Sequence, residues 1–80
     1  MEKGVRVDRH SMETRRKLRE MAPVKSIPYI QSFQLPPEEE LVLIEKEARG
    51  KSVLQIALAN NMSVESVKRR RKAALRKIST

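Results

Sequence analysis

The stretch that decides the fold lies at the C-terminal end of the chain and reads SVLQIALANNMSVESVKRRRKAALRKI, residues 52–78. Ser52, followed three residues later by Gln55, is the pattern of a capping box, in which each side chain bonds the other residue's backbone N–H. Ser63 can cap a second helix, and Asn61 before it tolerates the left-handed backbone of a tight turn. The predicted helices are about residues 53–60 and 64–78.

The second of these helices has two chemically different sides. At about 100° per residue, the side that is expected to face the core consists of Val64, Val67, Ala74, Leu75 and Ile78. The opposite side consists of Glu65, Arg69, Lys72 and Arg76, flanked by Ser66 and Lys68. A solvated charge run is the alternative interpretation of KRRRK at residues 68–72. Arg71, near the core side, can lay its stem along apolar neighbours.

A short helix, a tight turn and a second helix with a polar side are the pattern of a helix-turn-helix. In that motif the second helix enters the DNA major groove, which is about 12 Å wide and displays the base edges. We therefore expect a small all-α domain with a C-terminal helix-turn-helix and a basic N-terminal helix and arm. The expected partner is double-stranded DNA.

The charge of the chain favours the same partner. The 80 residues include 18 Lys and Arg against 10 Asp and Glu, which gives a formal net charge of +8. The net charge is +4 over residues 1–34, −2 over residues 35–62 and +6 over residues 63–80. Two basic ends around an acidic middle are more typical of a surface that binds a polyanion than of an evenly mixed surface.

The composition argues against several other classes of function. Without Cys there is no disulfide or thiolate metal site, and the single His10 cannot form a zinc site alone. The carboxylates cluster at a helix start, where capping explains them, and no Gly-rich phosphate loop is present. We therefore expect no enzyme, catalytic residue, metal or cofactor. No apolar run approaches the ~18 residues of a membrane span, so we expect a cytoplasmic, nucleoid-associated protein.

The N-terminal part of the chain has a less regular pattern. Residues 1–10 show no periodicity and are expected to form an arm, followed by a basic helix at about residues 11–22. Pro23 and Pro28 then argue against a regular helix. We expect an extended linker, or a short helical turn after Pro28, that packs on the later helices or on a partner. The predicted divisions are residues 1–34 and a DNA-binding domain at residues 35–80.

A further helix is expected at about residues 37–49. Pro37 suits its first position, three glutamates suit its first turn, and Gly50 suits its C-cap. Residues 41–44 are four apolar residues in a row, more than one stripe buries, so Val42 is a candidate for an exposed contact unless the linker covers it. The predicted partner-binding residues are Leu41, Val42, Ile44, Tyr29 and Phe33.

Several short motifs follow one another in a familiar order. They are LPPEEE at 35–40, GKS at 50–52, Ile56-Ala57, Met62-Ser63, Val67-Lys68 and AALRKI at 73–78. With these motifs, residues 35–78 resemble the fourth region of primary-type sigma factors and the related LuxR-type response-regulator DNA-binding domains. The chain departs from their pattern at Asn60, Asn61 and Arg70, and its first helix in this region is one residue longer before Gly50.

The resemblance implies roles for individual residues. The implied base-edge contacts are Glu65, Lys68 and Arg69. Ser63, Val64 and Ser66 would lie near the DNA at the helix start. The implied phosphate contacts are Lys72, Arg76, Arg49 and Lys51. Phosphate contacts position a protein on the duplex without reading its sequence.

The preferred function is therefore sequence-specific DNA binding in transcription regulation. A homodimer is expected to suit so small a chain, because symmetric half-sites double the contacts. The fourth region of sigma factors also binds RNA polymerase, so the alternative is an interaction protein whose acidic helix docks on the polymerase or another transcription factor. A DNA-recognition accessory in phage packaging or recombination is a further alternative.

Overall fold

The computed structural model describes residues 12–79, and every regular element within them is a helix. The elements are α1 (residues 12–20), α2 (Pro23–Gln31), α3 (Pro37–Leu43), α4 (Val53–Ala59) and α5 (Val64–Ser79). A π-helical segment, Ile44–Ala48, continues α3 without a break. The prediction of a small all-α fold is confirmed. The predicted arm at residues 1–10 lies outside the described residues.

The segment after Pro23 is the helix α2, so the prediction of an extended linker is wrong, and the alternative of a short helical turn after Pro28 is correct only for the end of a longer helix. Pro23 occupies the first helical position, where no N–H donor is needed, and Ala22 before it is extended with ψ of 149°. Pro28 lies inside the helix and removes one hydrogen bond, to the carbonyl of Val24, a residue that is 77% exposed. Ile30 is wholly buried, and its packing offsets the loss of that bond.

The helix α3 begins as predicted and ends differently. Pro37 is at its start, and its first turn holds three glutamates. The predicted α-helix to residue 49 is wrong in its last turn. There the Arg49 N–H donates to the carbonyl of Ile44, five residues earlier, at 3.0 Å, which is the spacing of a π-helix. Gly50 follows with a left-handed φ of 72°, so the predicted glycine C-cap is confirmed.

The two C-terminal helices begin and turn as the sequence predicts. The Gln55 N–H donates to Ser52 Oγ at 3.1 Å and the Ser52 N–H donates to Gln55 Oε1 at 2.9 Å, which confirms the capping box. Asn61 has a left-handed φ of 55°. The Ser66 N–H donates to Ser63 Oγ at 3.0 Å, so Ser63 caps α5 as expected. Both helices end within one residue of the predicted positions.

Two groups of buried side chains share α3. The larger group consists of Leu18, Ile30, Leu35, Leu43, Ile44, Ala74, Leu75 and Ile78. The smaller group consists of Val42, Ile56, Ala57 and Val67. Because Val42 and Leu43 belong to different groups, α3 is buried from two sides, which explains its run of apolar residues. Val42 is 0% exposed, so the prediction of an exposed contact there is wrong: residues of α4 and α5 cover it.

A buried carboxylate joins α1, the π segment and α5. Glu47 has a wholly buried side chain, whose oxygens lie 3.3 Å from Arg15 Nε, 3.6 Å from Arg19 Nε and 3.9 Å from Arg71 Nη1. Neither oxygen has a hydrogen-bond partner among the described residues, so the attraction is one between charges. We call these four residues the Glu47 cluster. It attaches two basic helices that would otherwise repel each other.

Glu47→Gln should lower the free energy of unfolding by ~1–3 kcal/mol, because it removes the buried counter-charge of three guanidinium groups that keep part of their contact with water. Glu45→Gln is the matched control. Glu45 pairs with Arg49 and Lys51, whose side chains are about half exposed, so its loss should cost under ~1 kcal/mol. Urea unfolding followed by circular dichroism measures both. Equal losses would show that the cluster does not hold the helices together.

Candidate nucleic-acid interface

One side of α5 exposes the residues that the sequence predicts to meet DNA. The exposed residues on this side are Glu65, Lys68, Arg69, Lys72 and Arg76. At the start of the helix Ser63 is exposed, whereas Val64 and Ser66 are half-buried. Val67 and Ala74 are wholly buried, which fixes the rotation of α5 about its axis. The predicted division of this helix into a core side and a charged side is confirmed.

The guanidinium group of Arg69 is held at the surface of α5 by its own helix. Arg69 Nη2 donates to Ser66 Oγ at 3.2 Å, and the Ser66 N–H donates to the cap at Ser63. These contacts link Arg69 to the first turn of the helix. A side chain that is already oriented loses less entropy when it binds a partner.

Arg49 and Lys51, two predicted phosphate contacts, share one carboxylate. Glu45 lies 3.2 Å from Arg49 Nε and 2.9 Å from Lys51 Nζ. The structure places both cations between the π segment and α4, and the three residues together carry a single positive charge. Glu45 was not among the predicted site residues, although its spacing of four residues from Arg49 is that of a helical ion pair.

One flank of α5 is neutralised by the start of α3. Arg70 Nη2 lies 2.7 Å from Glu38 Oε1, and Lys77 Nζ lies 2.9 Å from Glu39 Oε1. Glu38 therefore compensates the charge of Arg70. The positive charge of α5 is therefore concentrated on its exposed side and on the flank that faces away from α3.

That opposite flank borders an open groove of about 640 Å³ between α1, the start of α4 and α5. We call it the α1–α5 groove. It is lined by Met12, Arg15, Val53, Lys68, Arg69, Arg71, Lys72 and Leu75. Most of these residues are cationic, and none of the described lining residues is acidic. The groove is not predictable from the sequence, because no local pattern indicates that α1 packs beside α5.

The cations near Glu47 outnumber its single charge. Burial lowers the pKa of Arg71, and the Arg15 guanidinium lowers it further, while Glu47 opposes the shift. Burial likewise lowers the pKa of Lys46. The charge of Glu47 opposes this lowering, whereas the three guanidinium groups of the cluster add to it. With Lys46, four cations therefore surround one carboxylate. The region keeps an excess of positive charge.

Lys46→Met should stabilise the domain at pH 7, because the folded state disfavours the charged form of Lys46 and Met keeps a similar apolar stem. A lowered pKa means that unfolding takes up a proton in the window between the folded-state pKa and the ordinary value of 10.5. The stability of the wild type therefore rises with pH through that window. The difference in Tm between the variant and the wild type should shrink there. A difference independent of pH would show that the Lys46 charge is not its cause.

The predicted partner-binding residues do not form one exposed surface. Val42 and Ile44 are buried in different groups. Leu41 and Tyr29 are half-buried. Phe33 is 38% exposed, and its ring makes an edge-to-face contact with Tyr29, with ring centroids 5.2 Å apart. A contact that needs Val42 or Ile44 would require the domain to open.

Two exposed apolar residues on α4 were not among the predicted site residues. Leu54 is 58% exposed and Leu58 is 74% exposed. Their spacing of four residues places them one helical turn apart on the same side. This spacing is visible in the sequence, but Leu is also the usual choice for a core position, so its exposure depends on the packing of α4.

No family model, curated protein or solved structure matches the chain. Within residues 12–79, none of the helices is long and apolar enough to cross a membrane. The same part of the chain has no group of three or more His, Asp or Glu residues that could hold a metal ion. The resemblance to sigma region 4 and to LuxR-type domains stays a prediction from sequence.

Proposed function

We propose that this chain is a sequence-specific DNA-binding transcriptional regulator in which α4 and α5 act as a helix-turn-helix. The observation that carries the proposal is the exposed side of α5. It presents a continuous set of charged residues while the opposite side of the same helix is fixed in the core. Residues 60–63 join α4 to α5, and a connection this short suits the motif.

The helix α5 has the size and charge that the major groove accepts. Its 16 residues extend over about 24 Å at ~1.5 Å per residue. A helix with its side chains is ~10–12 Å across, close to the ~12 Å width of the groove. Its exposed side carries four basic residues against Glu65. That balance favours a surface lined by phosphates.

The proposed contacts differ along the helix. Lys68 and Arg69 are near its N-terminal end, the part that meets base edges in this motif, and Arg69 suits the O6 and N7 atoms of guanine. Glu65 would accept a hydrogen bond from a cytosine amino group or orient a neighbouring Arg. Lys72 and Arg76 lie further along α5 and are the proposed phosphate contacts.

The alternative of docking on RNA polymerase or another transcription factor has less support. The surface proposed for it relied on Val42 and Ile44, and both are buried. A homodimer on symmetric half-sites stays part of the proposal, because one helix buries little surface on DNA and a second copy doubles it. Location with the nucleoid follows from the proposed partner.

Arg69→Ala should weaken binding to the preferred site by about 1–3 kcal/mol and relax the preference at one base pair. Lys72→Ala should weaken binding to every duplex by a similar factor and reduce the salt slope by about one. Selection from randomised DNA identifies the preferred site. Mobility shift at several salt concentrations then gives the affinities.

Lys25→Ala is the matched control, because it removes an exposed cation from α2, outside the proposed DNA-binding helix. It should leave the site preference unchanged. Two results would contradict the proposal. One is an unchanged specific affinity for Arg69→Ala. The other is a wild-type protein that binds every duplex equally and loses affinity steeply with salt.

A further inference from the structure

We propose that the α1–α5 groove binds the sugar–phosphate backbone of one DNA strand, so that α1 and α5 hold the DNA together. This inference rests on the proposed function and adds a second element to it. The exposed side of α5 would read the base pairs. Lys68 and Arg69, the proposed base contacts, lie where this side meets the groove. The other groove cations, Arg15, Arg71 and Lys72, would fix the strand that borders the base pairs.

The charge of the groove favours an anion. Arg15 comes from α1, and Lys68, Arg69, Arg71 and Lys72 come from α5. Arg15 and Arg71 both belong to the Glu47 cluster, where the cations exceed the carboxylate. An added phosphate group would relieve the repulsion among them. Phosphate oxygens are also among the acceptors that a guanidinium group can pair with in a planar, bidentate geometry.

The position of the groove favours a DNA strand over a free phosphate ion. Lys68, Arg69 and Lys72 line the groove and also belong to the exposed side of α5. The groove is therefore continuous with that side, and an extended occupant can continue from one onto the other. A strand does so, because the sugar–phosphate backbones are the walls of the major groove that would receive α5.

The remaining lining suits the rest of a backbone unit. Met12, Val53 and Leu75 give the groove apolar surface between its cations. The carbon atoms of a deoxyribose can pack on such surface while the flanking phosphates meet the cations. Met12 is 62% exposed, so it can be replaced without removing a core side chain.

The test places a carboxylate in the groove. Met12→Glu should lower the affinity for the preferred duplex roughly three- to tenfold more than Val24→Glu, and reduce the salt slope by about one. Val24→Glu is the matched control, because it changes the net charge equally at a site on α2 that is 77% exposed. Met12→Gln, which removes the Met side chain without adding charge, should bind close to wild type. Thermal melting checks that each variant is folded.

Each result separates the two proposals. If the wild type binds no duplex, the proposed function fails and this inference fails with it. If Arg69→Ala weakens binding but Met12→Glu and Val24→Glu behave alike, only the groove proposal fails. Equal losses for Met12→Gln and Met12→Glu would also overturn it, since the charge would not be the cause. A third result would overturn it too. Inorganic phosphate would shift the NMR signals of groove residues, while Met12→Glu lowered the DNA affinity no more than Val24→Glu does. The groove would then bind a free phosphate ion and not a DNA strand.

Discussion

A single buried carboxylate, that of Glu47, lies between two helices that both carry strong positive charge. Arg15 and Arg19 approach it from α1, and Arg71 approaches it from α5. Burying a carboxylate is costly unless cations compensate it, and the half-buried Arg15 and Arg71 are in turn stabilised by the carboxylate. The charges therefore stabilise one another's positions. Because the cations are in excess, Glu47 attaches α1 to α5 without neutralising the groove beside them.

The π segment determines where that carboxylate lies. An α-helix turns by about 100° per residue, so one extra residue would rotate every later side chain by that angle. A π turn accommodates an additional residue in a wider loop. In this chain the wide turn spans residues 44–48, and the Arg49 N–H donates to the carbonyl of Ile44. The wide turn keeps Gly50 as the cap and Glu47 in the interior.

The features predictable from the sequence are those that depend on residues a few positions apart. The capping box at Ser52, the left-handed Gly50 and the two sides of α5 are local, and the structure confirms them. The full length of α2 was not predictable. A proline inside a helix is unfavourable on local grounds, whereas the burial of residues near Pro28, which offsets that cost, depends on contacts with other helices. The burial of Val42 could not be predicted without knowing that α3 packs against two separate groups of core residues. The α1–α5 groove needed the placement of α1, and the DNA-contacting role of α5 stays a proposal.

The two-sided burial of α3 also affects how the domain opens. Displacing α4 uncovers Val42 and the smaller group of core residues, whereas displacing α1 or α2 uncovers part of the larger group around Leu43. A local opening on either side thus exposes apolar surface of the same central helix, and the cost approaches that of global unfolding as the opening reaches α3. The amide hydrogens at the buried end of α3, those of Val42 and Leu43, should be the last to exchange with solvent. The outer helices can fluctuate while α5 rests on an element that stays closed.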